Sequence, residues 1–65
     1  MNGFQELIAA ERARYERAPM HELRNVRLAL SIGSWGNTLE EKARLEAVDM
    51  IVSDRLARRM KERVA

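Results

Sequence analysis

From Thr38 onward the chain contains neither glycine nor proline, and this stretch opens on Thr38-Leu39-Glu40-Glu41. That is capping-box spacing: the threonine hydroxyl accepts the N–H three residues on, and the glutamate there reaches back to the threonine N–H. Glu40 and Glu41 also oppose the positive pole of a helix starting here, and the later arginines suit its negative pole. The spacing predicts a helix running to about Glu62, roughly 37 Å long at 1.5 Å per residue. In a chain of 65 residues, whatever precedes such a helix has to cover it.

Two shorter helices are expected to do so. The first is predicted from about Gly3 to Arg17. Asn2 and Gln5 have capping-box spacing, and Phe4, Leu7, Ile8 and Tyr15 recur at helical intervals. Glu11, Arg12, Arg14 and Glu16 are assigned to its exposed side, supported by Glu–Arg pairs. Pro19 ends this helix and suits the first turn of the next. The second is predicted from Pro19 to about Ile32, with Gly33 as a left-handed C-terminal cap. Leu23, Val26, Ala29, Leu30 and Ile32 cover more than half its circumference, so it reads as central and touched on two sides. Gly33-Ser34-Trp35-Gly36-Asn37 is a loop by composition.

On the third helix, Ala43, Leu45, Ala47, Val48, Met50, Ile51 and Val52 surround most of the axis. Lys42, Glu46, Asp49 and Ser53 form a narrow polar strip, and Val52, Leu56, Met60 and Val64 continue a ridge at i+4. The fold class read from these patterns is all-α: one domain over residues 1–65, two shorter helices packed on a long C-terminal one. The apolar face around Ala47, Met50 and Ile51 is in surplus. It is expected to meet a second copy, making a homodimer.

Composition narrows the function. The 65 residues contain no cysteine and one histidine. No disulfide staples a core that is marginal at this size. Hydrophobic residues at 46% exclude a typical disordered chain. No apolar run has the length of a membrane span, and the start lacks the basic and apolar regions of a signal peptide. A soluble, cytoplasmic protein is therefore expected.

Chemistry is hard to assemble from this set. His21 would need a carboxylate or nucleophile beside it, and its neighbour Glu22 points about 100° away on a helix. Glu46 and Asp49 lack a histidine or cysteine to join them around a metal. GSWG lacks the Lys-Ser/Thr of a phosphate loop. The chain reads as a non-enzyme without cofactor or metal.

Binding is the remaining class. Arg24, Arg27 and Ser31 form a polar stripe on the second helix, and Trp35 is the one bulky residue of the loop. These four are the candidate contacts to a protein partner, tryptophan being enriched at interface hot spots. The alternative is nucleic acid. Ala29, Gly33 and Leu39 imitate helix-turn-helix spacing, and Arg55, Arg58, Arg59, Lys61 and Arg63 cluster against a single acid, Glu62. Against it, Glu40 and Glu41 give the helix that would enter the groove the wrong sign for phosphates.

Leu23-Arg24-Asn25, Ala29-Leu30-Ser31, Trp35, Asn37-Thr38, Glu40-Glu41 and Arg44-Leu45-Glu46-Ala47 carry a resemblance. The chain resembles small uncharacterised proteins of proteobacteria and their phages that show an LRN…ALS…W-x-NT-x-EE…RLEA pattern. The resemblance implies an accessory or mobile-element context and assigns no residue a role. It favours a small module that binds and regulates or inhibits a larger protein.

Overall fold

The computed structural model describes residues 3–33 and 36–64, with Arg63 and Val64 as backbone only. Its elements are α1 (Gly3–Tyr15), α2 (Met20–Ser31) and α3 (Leu39–Val64). No strand occurs among the described residues. Both short helices pack on the long C-terminal one, as the patterns predict.

Local chemistry sets the boundaries. The Ala18 N–H bonds the Tyr15 carbonyl at 3.1 Å, and Pro19 follows in extended geometry at φ −68°, ψ 155°. The chain therefore leaves the helix two residues before the predicted Arg17. The Pro19 carbonyl then accepts the Glu22 and Leu23 N–H groups and opens α2. At α3 the capping box is formed in both directions. The Glu41 N–H reaches Thr38 Oγ at 3.2 Å, and the Thr38 N–H reaches Glu41 Oε1 at 3.0 Å.

The end of α2 differs from expectation. No glycine among the described residues has positive φ, so Gly33 is not a left-handed cap. The Leu30 carbonyl, which such a cap would have served, is taken by a side chain instead. Asn37 Nδ2 donates to the Leu30 carbonyl at 2.7 Å, and Ser31 Oγ donates to the Leu28 carbonyl at 3.0 Å.

The core has two parts. Ile8 packs with Ala43 and Ala47 near the start of α3, flanked by Phe4 and Leu7. Leu23 packs with Val48, Ile51 and Val52, flanked by Tyr15, Ala18, Met20 and Val26. Contacts thus advance along α1 and α3 together, while α2 starts beside the middle of α3 and returns towards its beginning.

Glu11 lies on the inward face of α1, between Ile8 and Tyr15. The exposed side expected for it belongs to Arg14 and Glu16 instead. Arg44 of α3 donates to Glu11 Oε1 through Nη2 at 3.1 Å and Nε at 3.3 Å. Arg12 also turns to α3 and meets Asp54 at 2.6 Å.

Two expectations about faces are corrected. The central helix is α3, not α2, which buries Leu23 and Leu30, half-buries Val26 and exposes Ala29 and Ile32. Ala47 and Ile51, assigned to a surplus face, are buried inside the chain, since Ala47 packs with Ile8 of α1 and Ile51 with Leu23 of α2. Of that trio only Met50 stays exposed, at 37%.

Candidate functional site

The inward side of α2 is set by Leu23, Val26 and Leu30. At 100° per residue the opposite side carries Arg24 and Leu28 one turn apart, and Ile32, the residue that caps α2, follows four positions on. All three are exposed, Leu28 at 61% and Ile32 at 71%. Two large apolar side chains one turn apart therefore face solvent, with the Arg24 guanidinium beside them in sequence register.

The predicted polar stripe is only partly available. Arg24 is exposed as expected. Arg27 Nε is drawn to Asp49 of α3 at 3.0 Å, a half-exposed pair that ties α2 down. The Ser31 hydroxyl is spent on its own helix. Trp35 lies outside the described residues. Leu28 lies outside the predicted stripe, although Arg24, Leu28 and Ile32 recur at helical spacing in the sequence.

The basic cluster also divides. Arg55 Nη2 donates to the Glu16 carbonyl at 2.9 Å and closes the C-terminal end of α1. Arg58, Arg59 and Lys61 are exposed on the part of α3 that extends past the short helices. The Arg63 side chain lies outside the described residues. His21 is exposed. Among the described residues no group of three histidine, aspartate or glutamate side chains converges as a metal site. No helix of the structure is long and apolar enough to cross a membrane.

Two groups have shifted ionisation. Glu41 is held below its ordinary value, first by the Thr38 N–H and then by the Thr38 hydroxyl. Arg44 is held above its ordinary value, chiefly by its hydrogen bonds to Glu11. Both shifts belong to helix capping and packing.

No family model, curated protein or solved structure matches the chain.

Proposed function

We propose that this chain is a small helical interaction module that binds a larger protein and regulates or inhibits it by covering part of its surface. One observation carries the reading. The folded chain leaves 5114 Å² accessible, whereas a compact monomer of 7.5 kDa exposes about 4,200 Å². The difference, roughly 900 Å², is close to what one partner loses in a standard protein interface. The Leu28–Ile32 row supplies an apolar centre for that contact and Arg24 a polar edge.

The test is capture of partners by the tagged chain, compared with Leu28→Glu/Ile32→Glu. Loss of specific partners with an unchanged melting curve supports the reading. An identical captured set overturns it.

The same excess area supports a homodimer, in which a second copy supplies part of the missing cover. Light scattering decides this point: the dimer doubles the 7.5 kDa mass, and a monomer at high concentration excludes it. Nucleic acid is the second reading, favoured by the exposed Arg58, Arg59 and Lys61. The acidic start of α3 weighs against it, because Glu40 and Glu41 repel phosphates.

A further inference from the structure

We infer that the projecting C-terminal part of α3 is a docking helix for an acidic, apolar-striped helix of a protein partner. This rests on the protein-binding reading above and adds a second contact surface, separate from the Leu28–Ile32 row, with the chemistry of what it binds.

Val48, Ile51 and Val52 are buried, whereas every residue from Leu56 to Glu62 is exposed. The apolar ridge nevertheless continues: Leu56 and Met60 follow Val52 at i+4, and Met60 is 68% exposed. At 100° per residue, Ser53, Leu56, Ala57 and Met60 share an arc of about 100°. Arg59 borders this arc on one side and Lys61 on the other, with Arg58 behind it. The segment is therefore an apolar stripe between cations, standing clear of the domain.

Charge selects the occupant. From Arg55 to Ala65 the sequence has five cations and one acid. Two copies pairing here would set like charge against like charge, which is costly in a contact. A nucleic acid would accept the cations, but phosphate contacts give Leu56 and Met60 nothing apolar to cover them. An anionic membrane would accept both, but two apolar anchors bury too little for stable attachment. A partner helix with an apolar stripe edged by Asp and Glu matches the ridge and the cations together, in the manner of helix-on-helix recognition.

The experiment titrates the full-length chain, by fluorescence anisotropy, into a labelled synthetic helical peptide with leucines at i, i+4 edged by glutamates. A scrambled peptide of the same composition, duplex DNA and anionic lipid vesicles are run in parallel. The expected result is binding that prefers the striped peptide and weakens with salt. Leu56→Glu/Met60→Glu should reduce affinity about tenfold or more, as losing a partly buried apolar anchor does. Arg58→Glu/Arg59→Glu should reduce it as well, and Gln5→Glu, at an exposed position of α1, should leave it unchanged. Circular dichroism confirms that each variant is folded. Equal binding of the scrambled peptide, or tighter binding to DNA or vesicles that ignores Met60→Glu, overturns the inference. If the peptide fails while Leu28→Glu/Ile32→Glu still abolishes partner capture, this inference falls and the module reading stands.

Discussion

Glu11 is 13% exposed, and its Oε2 is buried without a hydrogen bond, while Oε1 takes both contacts from Arg44. The exposed Arg14 guanidinium stands 3.9 Å from Oε2, so this largely covered carboxylate depends chiefly on Arg44. Arg44→Met should therefore cost about 1.5–3 kcal/mol, the range for a hydrogen bond to a charged group. Glu11→Leu combined with Arg44→Met should recover most of that loss, because no uncompensated charge is left behind. Urea unfolding of both variants checks the pair.

Thr38 and Glu41 give a second residue-scale outcome, with a definite sign. The folded Glu41 carboxyl titrates below its ordinary value of 4.5. Its contribution is thus complete above the unfolded value and disappears as pH falls through the folded one. Glu41→Gln should flatten that part of the acid limb while changing little in the shape of the curve at neutral pH. An acid limb identical to wild type would mean that the cap is open in solution.

Between residue and fold stands the element, and here the end of α2 is informative. Ile32 is non-helical at φ −71°, ψ 30°, with its N–H on the Leu28 carbonyl, and none of the described residues is left-handed. A Cβ added at Gly33 meets nothing within 4 Å. Gly33→Ala should therefore be neutral or stabilise by about 0.4–1 kcal/mol, through the lower entropy of the unfolded chain. Asn37→Ala removes the hydrogen bond on the Leu30 carbonyl and should cost about 1 kcal/mol. A thermal melt resolves both, since that amount moves the midpoint of a domain this size by roughly 4–8 °C. The reverse order of the two variants would restore Gly33 as the cap.

For the whole molecule, the flanking arrangement controls shape and stability. The Cα radius of gyration is 12.8 Å, against about 10.7 Å for a compact chain of this length. The longest dimension, 41 Å, is close to the ~39 Å of a 26-residue helix. α3 is thus the spine, covered on its flanks for part of its length. Such a core has little in reserve. Leu23 is fully buried where α2 meets α3, and Leu23→Ala should cost about 2–5 kcal/mol. That is comparable to the ~3–5 kcal/mol a core of this size supplies. Circular dichroism at 25 °C should show the variant largely unfolded; a cooperative melt near wild type would mean that the Ile8 cluster alone sustains the fold.

The three helices and the cap of α3 were legible in the sequence because their causes are local: Pro19, the Thr38–Glu41 box and apolar residues at helical spacing. Only the tertiary structure decided which apolar residues are covered. A helical projection shows that Ala47, Met50 and Ile51 lie near one another, but not where the neighbouring helices lie. With Ile8 of α1 against Ala47 and Leu23 of α2 against Ile51, both are consumed internally. Leu28 on the outer side of α2 and Ile32 at its cap are left bare. Glu11 turns inward for the same kind of reason: its partner Arg44 is 33 residues away, and no local rule in the sequence connects them. Periodicity comes from the backbone of one helix, whereas burial comes from the direction of approach of another.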